Sequence, residues 1–404
     1  KHEKGYGKMD YPDDGFRLLA LYRYWNMIEY FFPYNDIIGR DWNEVLLEFL
    51  PKFLNASDAL EYRLAALTLI ENIHDTHANI WGQDEHMNKY RGEFYTPFQV
   101  TFIENQAVVT DFVDEDKCAD LDLKIGDVIA SIDGKKVEDI VNERLPFYPA
   151  SNEPTKMRDI GRYLLRGDSP SVSLEIQRKE GGTIQSFQRY DRSEINFLKY
   201  RNKEKDKPCY EMLADDIGYI NLGRIESKYF PKMFEEFENT KGIVIDIRNY
   251  PSEFVVFSLG RYLMPEPTEF VKFTKGDVKN PGYFSWTPTL KVGEHNPDYY
   301  KGKVVILINE TSQSQAEYTT MAFRVAPKAT VIGSTTAGAD GNVSSFHLPG
   351  GVRSMISGIG VFYPDGTPTQ RVGIVPDIEL LPTVEGIREG RDELLEKAME
   401  VIRE

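Results

Sequence analysis

The chain has 404 residues, 41% of them hydrophobic, which is enough for more than one core, so two or three domains are expected. Its formal net charge of −16 argues against nucleic acid or an anionic membrane as the main partner, since both are met with basic patches. No apolar run approaches the roughly 20 residues needed to span a bilayer, so no integral membrane segment is expected. The two cysteines, Cys118 and Cys209, lie far apart without metal-ligand spacing and fit either a disulfide or two free thiols. A start at Lys1 without a signal-peptide pattern reads as a mature or truncated form.

In chain order, the first region is helical. Phe16, Leu19 and Tyr22, with Leu21, Trp25 and Ile28, recur at helical spacing until Pro33 breaks the pattern. Trp42 to Leu54 reads as a second helix, and Ser57 to Ile73 as a third, with Asp58 and Glu61 as a capping pair. His74, Asp75, Thr76 and His77 follow where that helix hands over to a loop. From Phe94 to Asp191 the character changes. Short β-type runs at Phe98–Ile103, Ala107–Phe112, Val128–Ile132 and Val172–Gln177 are separated by Gly and Asp turns, with a helical stretch at Lys156–Leu165. The charged stretch from Arg189 to Pro208 reads as a solvated connector. Beyond Cys209, strands at Ile217–Leu222, Gly242–Ile247, Val304–Ile308 and Thr330–Gly333 alternate with helices at Pro231–Glu238, Phe254–Leu263 and Ser314–Val325. That alternation implies a largely parallel, covered sheet. A last amphipathic helix, Gly390–Arg403, places Leu394, Leu395, Ala398, Met399 and Ile402 on one side.

The segment Val304–Gly338 is the most informative. A buried strand delivers Ser314 onto the first turn of a helix, where free backbone N–H groups can hold an oxyanion. The same residues, Ser314 with Glu317 three positions on, spell a capping box, and from this segment alone the cap is the preferred reading. A serine nucleophile needs a base, and histidine suits neutral pH without tuning. There are six: His2, His74, His77, His86, His295 and His347. His347 competes with His77 because it follows Ser314 in the same region, whereas His74 reads as part of a packed helix end.

Four motifs in order carry a resemblance. Leu121–Val137, with Gly126-Asp127 and Asp133-Gly134 as turns, resembles the most recognisable stretch of a PDZ domain. Gly218-Tyr-Ile-Asn-Leu, Gly242-Ile-Val-Ile-Asp-Ile-Arg-Asn and Val372-Gly-Ile-Val-Pro-Asp-Ile resemble signatures of the C-terminal processing peptidase and tricorn-core family of serine proteases. The resemblance runs over nearly the whole length. It implies an α/β multidomain chain: a helical N-terminal domain at 1–92, a PDZ-like β domain at 93–191, and an α/β protease core with a mainly parallel sheet at 192–404.

Carried over position by position, the family's Ser-Ala-Ser-Ala-Ser-Glu lies on Ser312-Gln-Ser-Gln-Ala-Glu317, making Ser314 the nucleophile. The lysine of the processing peptidases would fall near Ala339, and no lysine stands there. The tricorn-like branch instead implies His77 as base, with Thr76 and Gln370 as its orienting partners; Gln370 replaces a family glutamate. A glutamine stabilises an imidazolium less than a carboxylate would, which leaves Asp75 or Asp340 as alternative orienting acids. The resemblance implies an oxyanion hole from the Gln315 amide and one amide after Asn249; Pro251 has no N–H, leaving Tyr250 or Ser252. Pro97, Phe98, Gln99 and Val100 would form the PDZ edge to which a peptide adds as a strand.

The expected function is a serine peptidase acting on protein or peptide substrates near unstructured or C-terminal ends. No metal or other cofactor is expected, since neither a ligand cluster nor a phosphate loop is present. The alternative is a weak or inactive relative that binds peptides through its PDZ groove. An extracytoplasmic location follows from the resemblance only.

Overall fold

The computed structural model describes residues 6–179, 181–213 and 216–404. Three helices open the chain: α1 (Asp14–Phe31), α2 (Trp42–Asn55) and α3 (Ala59–Glu71). Each starts on an aspartate whose side chain accepts a first-turn N–H: Asp13, Asp41 and Asp58. At α3 the expected pair is present, with Asp58 accepting from Glu61 N–H at 2.8 Å and Glu61 turning back to Ser57 N–H at 2.7 Å. The spacing that marked these helices becomes one core, in which Tyr24, Ile28, Phe49, Phe53, Tyr62 and Ile70 are fully buried.

The middle of the chain forms a sheet from β1 (Phe98–Ile103), β2 (Gln106–Phe112), β3 (Val128–Ile132), β4 (Ser171–Arg178) and β5 (Gly181–Gln188), in that order and antiparallel throughout. Helix α4 (Glu153–Tyr163) lies against β1. Strand β5 was missed in the sequence because Gly-Gly-Thr-Ile-Gln-Ser-Phe-Gln is an edge strand; its one aliphatic, Ile184, is exposed. The connector, expected to be solvated, contains helix α5 (Phe197–Asn202), whose Phe197 packs edge-on against Tyr95.

The remaining chain builds a six-stranded sheet. Its strands are β6 (Tyr210–Leu213), β7 (Ile217–Asn221), β8 (Gly242–Asp246), β10 (Lys303–Ile308), β11 (Ala329–Gly333) and β14 (Ile378–Glu379), with β9 (Thr268–Gly276) in a separate sheet. The order is β14-β11-β10-β8-β7-β6, parallel except for β6. Both faces are covered, as parallel sheets require. Helices α6 (Val256–Leu263) and α7 (Gln315–Phe323) pack on one side, and α8 (Glu393–Arg403) on the other, burying Leu394, Ala398 and Ile402 on Val244, Val305 and Leu307. Arg248 ties the two ends of this unit together. It forks onto Asp246 at 2.7–3.0 Å and onto Asp392, the α8 cap, at 2.7–2.8 Å.

One hairpin crosses the expected domain boundary. Strands β12 (Val343–Leu348) and β13 (Val352–Ser357) leave the C-terminal half and bury Phe346, Leu348, Val352 and Ile356 in the N-terminal helical core. Tyr62 Oη donates to Pro349 O at their turn, at 2.6 Å.

Candidate active site

Ser314 sits between the end of β10 and the start of α7, with φ 58° and ψ −115°. An ordinary helix cap has extended backbone. A serine at positive φ on a sharp strand-to-helix turn is strained, costing about 1–3 kcal/mol, and persists only where its surroundings fix it.

Those surroundings centre on Glu317, fully buried in the first turn of α7. Its Oε2 accepts Ser314 N–H at 2.9 Å and Ala339 N–H at 3.1 Å; its Oε1 accepts Thr336 Oγ1 at 2.6 Å and Gly338 N–H at 2.8 Å. Ser314 N–H also reaches Ala339 O at 3.1 Å. Gly338 has φ 64°, and a Cβ there would meet Arg371 O at 2.7 Å, so this brace needs glycine. Burial pushes Glu317 up to about 7 despite its four donors. Neighbouring Asp340, also fully buried, is held well above the ordinary carboxylate range by burial and then by the charge of Glu317. The position where a processing-peptidase lysine would fall, near Ala339, is thus occupied by backbone that shapes the serine turn.

His77 and Ser314 line one cleft of about 1140 Å³. His77 is 6% exposed, and its Nδ1 lies 2.9 Å from Ser357 Oγ at the end of β13. Ser357 in turn donates from Oγ to Asp75 Oδ1 at 2.9 Å and from its N–H to Asp75 Oδ2 at 2.6 Å. Asp75 Oδ1 also accepts His77 N–H at 3.0 Å and stands 3.9 Å from Nδ1. Burial holds the imidazole below its usual value, with Asp75 opposing.

The other expected residues divide. Thr76 turns away from His77: its hydroxyl donates to Ala337 O at 2.9 Å and meets Ser151 Oγ at 3.0 Å. Gln370 is buried, and its two amide atoms contact no polar partner among the described residues, so it does not hold the imidazole. Of the two alternative acids, Asp75 reaches the histidine. Asp340 Oδ1 accepts Gly341 N–H instead, at 2.6 Å. His347 is exposed on β12, and His74 pairs with Glu71 across 3.7 Å at the helix end; neither lines the cleft. Tyr250 and Gln315 do line it. Ser252 gives its N–H to Leu222 O at 2.9 Å and has none left for an oxyanion. Ser357 carried no signal in the sequence, because its role depends on a hairpin placing it beside a residue far away in the chain.

The expected peptide edge is crowded by its neighbours. Strand β1 ends its sheet, but α4 packs so closely on it that a Cβ on Gly161 would lie 3.4 Å from Val100 O. Gln99 Nε2 donates to Tyr200 Oη at 2.7 Å, and Pro97 O already accepts Val113 N–H and Asp114 N–H. Phe197 lies in the same groove beside Phe98 and Val100, and the cavity left there is about 70 Å³.

Comparison with known proteins agrees with this architecture. Residues 216–380 match the profile described as Peptidase family S41. No curated protein matches the chain. Among solved structures, mature CPAF complexed with lactacystin superposes with a TM-score of 0.75 at 15% identity, covering 96% of this chain and 98% of that one. The photosystem II D1 C-terminal processing protease superposes with a TM-score of 0.50 at 14% identity, covering 93% and 98%. At these identities the likeness is one of fold. Residues 216–380 thus match peptidase family S41, a family of serine-type peptidases, which are hydrolases.

Proposed function

We propose that the chain cleaves peptide bonds with Ser314 as nucleophile and His77 as general base. The observation that carries this is the Ser314 backbone, held at positive φ on a strand-to-helix turn in the same cleft that His77 lines. The hydrogen bonds support one tautomer. Ser357 spends its hydroxyl proton on Asp75, so Nδ1 of His77 carries a proton and donates it to Ser357 Oγ. Nε2 is then the basic nitrogen. Ser314 Oγ attacks the scissile carbonyl, Nε2 takes its proton, and the Gln315 and Tyr250 amides receive the developing oxyanion. Nε2 next protonates the leaving amine, and water repeats the sequence to release the acid. Asp75 steadies the imidazolium through Ser357 and by its own charge, the part expected of Gln370.

We infer that the PDZ-like unit contributes through α4, which supplies Arg158 and Arg162 to the cleft, rather than by pairing a peptide to β1. The test is intact mass after exposure to a fluorophosphonate. A single adduct on the native chain, absent from Ser314→Ala and His77→Ala, is expected. No adduct on folded protein would favour a peptide-binding protein, and an adduct surviving His77→Ala would overturn the base.

A further inference from the structure

The cleft around Ser314 has a charge opposite to that of the molecule. The chain carries a net −16, yet the cleft is lined by Arg158, Arg162 and Lys275 and by no aspartate or glutamate among the described residues. The cations differ in how far they are committed. Arg158 is nearly buried and donates to Glu310 O at 2.8 Å and to Asp159 at 2.9 and 3.1 Å. Arg162, 58% exposed, makes a single hydrogen bond, from Nη1 to the same Asp159 at 3.1 Å. One carboxylate is therefore shared by two guanidinium groups, and the rest of the Arg162 fork is open. Lys275, exposed on β9, has no ion pair among the described residues. The other wall is aromatic: Tyr318 stacks between Phe254 and Phe273, with ring centroids at 6.0 and 6.1 Å.

We propose that this cleft selects peptides presenting an Asp or Glu side-chain carboxylate beside an apolar side chain, the carboxylate met by Arg162 and Lys275 and the apolar group by the aromatic wall. The inference rests on the reading of the cleft as the substrate site. A negatively charged molecule repels acidic peptides at long range, so cations gathered in the cleft, two of them sharing one carboxylate and Lys275 outside any ion pair among the described residues, are informative. The open part of the Arg162 fork suits such a side-chain carboxylate.

The experiment uses three short peptides with the same apolar core: one with a Glu and an amidated end, its Gln counterpart, and the Gln peptide with a free C-terminus. For exposed pairs the expected Glu-to-Gln ratio in kcat/KM is about fivefold, closing at 0.5 M salt. Arg162→Gln and Lys275→Gln should each lower that ratio. A preference confined to the free terminus would overturn the side-chain assignment. Equal rates for all three peptides would overturn the proposal and leave the peptidase reading intact. Affinities of Ser314→Ala for the same peptides separate the two ideas from the other side. A Glu preference in binding, without cleavage by the native chain, would sink catalysis and keep the selectivity.

Discussion

Replacing Ser314 by glycine and, separately, by alanine distinguishes a strained nucleophile from a helix cap. Both variants lack the hydroxyl, so their difference reports backbone and capping effects. At φ 58°, ψ −115° an L-residue carries about 1–3 kcal/mol of strain, which glycine relieves. Glycine also loosens the unfolded chain, costing about 0.4–1 kcal/mol. The Glu317 brace acts on the Ser314 N–H and survives either change. The net expectation is that Ser314→Gly exceeds the native chain by about 1 kcal/mol while Ser314→Ala stays within about 0.5 kcal/mol of it. A capping serine behaves differently: alanine costs about 1 kcal/mol, and glycine a few tenths, with the native residue best. Urea unfolding followed by circular dichroism decides the order. A native chain more stable than both variants would refute the strain argument and return Ser314 to an ordinary cap.

Removing the His77 partner by Ser357→Ala should lower kcat/KM by about 10- to 100-fold, less than the 10²–10⁴ of losing a general base outright, and an unchanged rate would remove Ser357 from the site. Because burial outweighs the pull of Asp75, the His77 midpoint in an NMR titration should fall below the ordinary ~6.5, and Asp75→Asn should push it lower still. The folded state then binds that proton less readily than the unfolded one. The stability His77 contributes is present above ~6.5 and is lost as pH falls toward the folded midpoint; a midpoint above 6.5 would contradict the burial. Arg248→Ala leaves Asp246, almost buried, without its counter-charge and should cost about 3 kcal/mol in urea unfolding, whereas a loss under 1 kcal/mol would mean that solvent replaces the guanidinium.

Local pattern made much of this fold readable. Spacing alone located a helix from Trp42 to Leu54, one residue short of its end at Asn55, and the Asp58–Glu61 pair marked the start of the third helix. The apolar run Val304–Ile308 gave a central strand because a strand buried on both faces needs no alternation. What escaped was either polar or non-local. Strand β5 buries little, and the β12–β13 hairpin shows its apolar side only against helices far away in the chain. At the site, motif order brought out Ser314 and His77, which share a cleft. It misassigned the orienting contact to Thr76 and Gln370, since sequence cannot show which way a hydroxyl turns or which hairpin end arrives beside Asp75. The strand expected to pair a peptide lies at the edge of its sheet, and Phe197, which lines the groove beside it, lies in a connector whose charged sequence reads as solvated.

The β12–β13 hairpin has a consequence for the order in which the chain becomes dangerous. A peptidase made in the presence of other proteins must avoid attacking them, and itself, before it is complete. Here the histidine is synthesised early, the serine much later, and Ser357, which fixes the imidazole, later again. The strand carrying Ser357 can reach Asp75 only by seating Val352 and Ile356 among helices made at the outset. On the proposed Ser314–His77 pairing, a growing chain therefore holds an unaimed base, and the pair is complete only when the last third docks onto the first.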